Sequence, residues 1–333
     1  MSSNPSFFDY FRPADMSDLL TKFKEANSPI EQAKGVALFD VHKTVGSVSG
    51  SRQIKYTTSL FLQNHNFWEK PVHLEAVMEM PTSNAEENHR FLVENGWAKP
   101  DRSWWKSYLD PILSFNSPDV DLEVYICPFL FTVLSSASLL PSRHTYKVMS
   151  RTSNRHNPGA MWRFLGLDSS KPVFVADADS LNQFRLCGWE WIQSDIKWYR
   201  RAHNGKADHN DFDGNSVFYH AVTASEFGCK AGCVSEAKMR ETLAAFYWAA
   251  KNGLVQNSVW HPDLRKVCPL FGRSPDGYGF DELFCQLVLF PLMVKEGVFS
   301  VFPQPDRRGT FGDLDLALCQ NSLLEGRSKV VIP

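Results

Sequence analysis

The apolar positions of the chain fall into short runs, parted by polar stretches rich in Gly, Pro, Ser and Asn. The sharpest run is Pro172-Val-Phe-Val-Ala176. It is β-branched and aromatic, follows the turn-like Asp168-Ser-Ser-Lys171, and predicts a buried strand. Asp121 to Cys127 (DLEVYIC) predicts another strand by length and β-content. Gly35 to Asp40 predicts a first, central strand, with a polar loop rich in Gly and Ser from Val41 to Gly50. Pro71 to Met80 and Tyr219 to Ser225 each fit a strand or a helix. Helices are predicted over Met16–Ala26, Tyr56–His65, Leu181–Tyr199 and Val234–Lys251. A further one opens at Asp281 (DELFCQLVLFPLMV), where the aspartate caps the N-terminus. Leu130 to Leu140 predicts an apolar loop lining the core, and residues 81–120 an irregular, partly helical insertion. Strands mixed with helices make the chain α/β.

Composition narrows the class only a little. The 333 residues are 43% hydrophobic and 22% charged, ordinary for a globular protein with a sizeable core. The net charge of −2 leaves no basic domain that demands nucleic acid. Trp198-Tyr-Arg-Arg-Ala-His203 is a short basic and aromatic cluster that suits a nucleic-acid backbone or a solvated helix face. The N-terminus has no basic, apolar leader, and no apolar run is long enough for a membrane span. The seven cysteines are scattered and odd in number, which fits free thiols. These features together predict a cytoplasmic protein. Cys229 and Cys233 lack a partner pair at metal-ligand spacing and read as structural. The polar stretch His203 to Asn215 has turn composition.

Chemistry enters at the end of the Pro172–Ala176 run. Asp177-Ala-Asp-Ser180 follows it at once. Side chains at i and i+2 share a side of an extended chain, so Asp177 and Asp179 are expected to face one site, with Ala178 turned away. Two adjacent carboxylates repel unless a cation stands between them. Mg²⁺ or Mn²⁺ suits such oxygens and is typically held by one or two carboxylates plus substrate phosphates. The plain alternative is a strand-end turn in which Asp caps the next helix. Upstream, Arg151, Arg155 and Arg163 supply forks that match phosphate oxygens. Arg163 stands between Trp162 and Phe164, which predicts burial and a partner, the diphosphate or the carboxylate pair, against the plain alternative of a surface ion pair.

These residues resemble the centre of GT-A-fold glycosyltransferases of an uncharacterised W-R-F…D-x-D-S type. The likeness rests on Met161-Trp-Arg-Phe-Leu165, the strand and Asp177-Ala-Asp-Ser180. Looser support comes from Trp189, Trp191, Ala224 to Lys230 and Asp281-Glu-Leu-Phe284, over residues 33–300 in all. The resemblance implies a mixed, mainly parallel sheet flanked by helices in one large domain. It implies a helical extension over 1–30, a catalytic domain over 31–302 and a tail over 303–333. Within the domain, 31–185 takes the nucleotide sugar and 186–302 the acceptor. Asp177 and Asp179 hold Mn²⁺ or Mg²⁺ on the diphosphate of a UDP- or GDP-sugar. Phe39, Asp40, Arg151, Arg155, Arg163 and Ala178 line the donor, and Tyr56 and Asn64 flank the element after it. If transfer inverts, Asp281 or Glu226 serves as base toward a glycan or other hydroxyl acceptor; if it retains, no such base is needed, and Glu226 then orients sugar hydroxyls. DNA is an acceptor that the charge does not indicate. One position departs from the pattern: Ala176 stands where relatives often carry an arginine.

Two rival readings come from other classes. Phe39-Asp-Val-His-Lys-Thr-Val45 is similar to the first motif of haloacid-dehalogenase-type phosphatases, with Asp40 as nucleophile and His42 where a second Asp is usual. Asp177 and Asp179 then serve as its metal ligands. The other rival is a non-catalytic carbohydrate- or nucleic-acid-binding protein of the same fold, using its aromatic groove.

Overall fold

A computed structural model describes residues 15–46, 52–61, 90, 94, 108–136, 138–150, 158–168, 170–183, 198–201, 226–231, 234–252, 281, 284–289 and 299–302. In chain order its helices are α1 Asp15–Ala26, α2 Pro29–Ala37, α3 Asp110–Ser114, α4 Pro128–Ser136, α5 Gly159–Trp162 and α6 Glu236–Lys251. Its strands are β1 Val41–Val45, β2 Ile54–Leu60, β3 Val120–Ile126, β4 Thr145–Met149, β5 Val173–Ala176, β6 Trp198–Arg201, β7 Glu226–Cys229 and β8 Phe299–Phe302. Short 3₁₀ turns cover Arg163–Leu167 and Ala178–Gln183. The class is α/β with a mixed sheet. Among the described residues no helix is long and apolar enough to cross a membrane.

The chain divides into two compact units. One comprises Ala33–Arg185 with Ala231–Arg240. Its strands lie in the order β1-β4-β3-β2-β5. β2 to β5 run parallel, and β1 pairs antiparallel with β4. Counted along the chain, the parallel strands are therefore ordered third, second, first, fourth. That is the order of the first four strands of a doubly wound sheet, and it reverses between β2 and β5.

The strands are covered on both faces, as parallel strands are. In β3, Val120, Leu122, Val124 and Ile126 alternate with Asp121, Glu123 and Tyr125, and all are buried. A buried charge needs a partner. Asp121 receives Lys171 at 2.6 Å and Arg52 at 3.6 Å. Glu123 accepts from the Tyr125 hydroxyl at 2.9 Å and pairs with Lys55 at 3.4 Å. Between β3 and β4 lies His144, buried, with Nε2 2.9 Å from the Ile112 carbonyl. Its neighbour Arg143 donates to the Leu113 and Phe115 carbonyls at the end of α3.

The other unit comprises Met1–Gln32, Leu186–Lys230 and Glu241–Pro333. Here β6 pairs antiparallel with β7 and parallel with β8. From Leu243 to Ala250 the residues of α6 are buried, Trp248 only partly, so this is a core helix rather than a surface one. Its Trp248 packs edge-on against Phe23 of α1, and its Phe246 against Phe284.

Several expectations are corrected. Gly35–Asp40 is not a strand. Ser28 accepts the Glu31 N–H at 3.3 Å, and a helix runs from Pro29 to Ala37 before Leu38 and Phe39 turn into the core. Val41–Val45 is a strand, not loop, and its side chains are mostly exposed. Tyr56–Leu60 belongs to β2 rather than to a helix, and Pro128–Ser136 is helical rather than a loop. Trp198 and Tyr199 lie in a strand, where a helix was expected. The stretches Pro71–Met80, His203–Asn215 and Tyr219–Ser225, and the tail after Pro303, lie outside the described residues, as does all of residues 81–120 before Tyr108 except Arg90 and Glu94.

Candidate functional site

β5 is buried along its length and ends at Ala176. The chain does not stay extended beyond it. At Ala178 it enters a 3₁₀ turn, with the Ser180 N–H donating to the Asp177 carbonyl at 3.1 Å. The turn directs Ala178 into the core and leaves the Asp177 side chain 43% exposed and Asp179 exposed. Both carboxylates thus reach solvent, through a tight turn rather than through pleat alternation. Ser180 Oγ lies 3.5 Å from Asp179 Oδ1.

Behind Asp177 stands Arg163. Its side chain is 1% exposed, and Nη1 donates to Asp177 Oδ1 at 2.5 Å. The backbone of Arg163 is fixed from β2. Its N–H donates to Ser59 Oγ at 2.8 Å, and its carbonyl accepts from Thr57 Oγ1 at 3.0 Å. Thr57 Oγ1 also lies 3.3 Å from the Phe174 carbonyl of β5. Trp162 is fully buried and donates Nε1–H to the Leu38 carbonyl at 3.0 Å. Two glycines let this segment lie directly on β2. A Cβ at Gly159 would overlap the Phe61 ring, and one at Gly166 would overlap the Thr57 side chain. Gly166→Ala is therefore expected to destabilise the chain by about 2 kcal/mol through overpacking. Urea midpoints measure it, and a neutral result would mean that Thr57 yields freely.

Asp177 and Arg163 lie beside the point where strand order reverses, at the carboxyl ends of the strands, where open α/β sheets bind ligands. Phe39 is buried; the Asp40 carbonyl accepts the Ser150 N–H at 2.8 Å, and its carboxylate pairs with Arg240 at 3.3 Å. Asp40 immediately precedes β1, which stands at the far end of the strand order from β5 within this unit. Arg151, Arg155 and Asn64 lie outside the described residues. In the other unit, Glu226 pairs in register with Arg201, and Asp281 is helical and partly exposed.

Among the described residues no group of three or more His, Cys, Asp and Glu gathers to hold a metal. Two carboxylates that both reach solvent still fit a hard divalent cation, since Mg²⁺-type ions take one or two carboxylates and fill their other places with phosphate and water. Thr57 and Ser59 are the site residues that sequence reasoning missed. The hydroxyl run Thr57-Thr-Ser59 inside an apolar segment was the available signal. No family model, curated protein or solved structure matches this chain.

Proposed function

We propose that the chain is a metal-dependent glycosyltransferase with a GT-A-like fold, moving a sugar from a nucleotide sugar to a hydroxyl acceptor. One observation carries the reading: a carboxylate, Asp177, held by a buried arginine at the carboxyl end of the strand beside the strand-order reversal. Asp177 and Asp179 would hold Mn²⁺ or Mg²⁺. When bound, the cation supplies Lewis-acid neutralisation of the departing diphosphate. In this reading Asp177 and Asp179 orient the diphosphate, and Arg163 stands behind them as a fixed positive charge. If transfer inverts the anomeric centre, the acceptor hydroxyl needs a carboxylate base to take its proton. The donor is a UDP- or GDP-sugar, and the acceptor a glycan or another hydroxyl compound.

The test is thermal unfolding with Mn²⁺ and a panel of nucleoside diphosphates and nucleotide sugars. A ligand of the native state at a hundred times its Kd adds about 2.7 kcal/mol, a shift of several degrees. That shift is expected with one nucleotide base, only with metal, and is expected to vanish in Asp179→Ala. A wild-type chain that no metal–nucleotide pair stabilises would overturn the reading.

A further inference from the structure

We infer that Arg163 tunes this site to take a divalent cation together with a diphosphate, rather than the cation alone. The inference rests on the glycosyltransferase reading and concerns the electrostatics of the site. A guanidinium is always charged, so a permanent positive charge stands 2.5 Å from one of the two carboxylates. It is buried, hence weakly screened by salt. It also has no easy retreat, because Ser59 and Thr57 grip its backbone on both sides of the residue and the Phe164 ring lies 5.1 Å from it.

The charge acts in opposite senses on the two ligands. It repels a bare dication and shares the Asp177 carboxylate with it. It attracts the phosphates that arrive with a nucleotide. A dication bearing a nucleoside diphosphate brings negative charge toward the guanidinium, whereas a bare dication brings only positive charge. Arg163 acts through Asp177 and is a positioning residue rather than a catalytic one.

Binding of Mn²⁺, followed by loss of the free-ion electron paramagnetic resonance signal beyond that of a protein-free blank with the same nucleotide, tests this. It is titrated alone, with UDP, and separately with GDP. In wild type one of the two nucleotides is expected to tighten Mn²⁺ binding by at least about tenfold, the scale of one charge-assisted contact. In Arg163→Gln, Mn²⁺ alone is expected to bind several-fold more tightly, and the nucleotide enhancement to fall by about tenfold. Arg163→Lys is expected to restore part of the enhancement. A merely structural role would weaken both titrations together, and that parallel loss, or no change in either, overturns the inference. Should Arg163→Gln fail to fold by circular dichroism, Arg163→Lys is read in its place. A nucleotide enhancement of Mn²⁺ binding that the variant keeps in full sinks the role of Arg163 and leaves the transferase reading standing, whereas equal Mn²⁺ affinity with and without nucleotide in wild type sinks both, since coupling is reciprocal. No Mn²⁺ binding under any condition sinks the transferase reading itself.

Discussion

Trp162→Ala is expected to lower the free energy of unfolding by about 3–5 kcal/mol, the usual cost of truncating a fully buried large aromatic. Trp162 is wholly buried and lies edge-on to Phe61 with ring centroids 6.4 Å apart. Its removal opens a cavity and also strands the Leu38 carbonyl, which accepts its Nε1–H. Leaving a buried acceptor unpaired adds to the transfer and cavity terms. Trp162→Phe separates the two contributions. It keeps most of the volume and should cost only about 1–2 kcal/mol, chiefly the lost hydrogen bond. Domains of this size have roughly 5–15 kcal/mol in all, so the alanine variant should lose about a fifth or more of its margin. Urea unfolding of the three chains measures the difference. Near-wild-type stability of Trp162→Ala would mean that the segment over β2 is not a core element.

Acidification should remove about 3 kcal/mol of stability through His144 alone. Burial pulls the imidazole down to about 4 from an ordinary 6.5, with Arg143 and Arg52 adding to the effect and the bond to the Ile112 carbonyl opposing it. Nδ1 is buried with no hydrogen-bond partner among the described residues, so a second ring proton has nowhere to go. The unfolded chain takes up that proton below about pH 6.5, while the folded chain resists it until about pH 4. Between those values the unfolded state binds more protons, so stability falls as pH falls. The stabilisation is fully present above pH 6.5 and is lost by about pH 4. A shift of that size corresponds to roughly 3 kcal/mol. The check is the difference between wild type and His144→Gln in unfolding free energy across pH 4–7, since carboxylates titrate in both. A pH-independent difference would contradict the burial argument.

Much of the α/β class was readable because its best elements carry local signals. β5 and β3 are β-branched runs bounded by turns, and α1 and α6 have clean starts. The misreadings have definite causes. Gly35–Phe39 is apolar enough for a strand, yet Ser28-Pro-Ile-Glu31 is a helix start, with proline at the first position and glutamate where the capped N–H lies. Tyr56–Leu60 has apolar residues four apart, which mimics a helix. In a strand buried on both faces that spacing carries no information, and the Thr-Thr-Ser run was the better guide. Of the site, Asp177 and Arg163 were each visible. Their meeting was one of two expectations, since a buried Arg163 needs a partner and the carboxylate pair was a candidate beside the diphosphate; the fold-back over β2 that brings them together was not readable. The turn that redirects Asp179 is local, closed by the Ser180 N–H on the Asp177 carbonyl, and corresponds to the plain alternative of a strand-end turn.

Thr57 bonds the carbonyl of Arg163 on one side and lies within reach of the Phe174 carbonyl on the other, while Ser59 holds the Arg163 amide. A random-mutagenesis screen that scores only ligand capture would therefore return hits on β2 as readily as on the aspartates. Those hits would look like active-site lesions without touching a ligand. Selection on such a chain has few neutral steps in β2, and new specificities would have to be explored through positions that this strand does not hold.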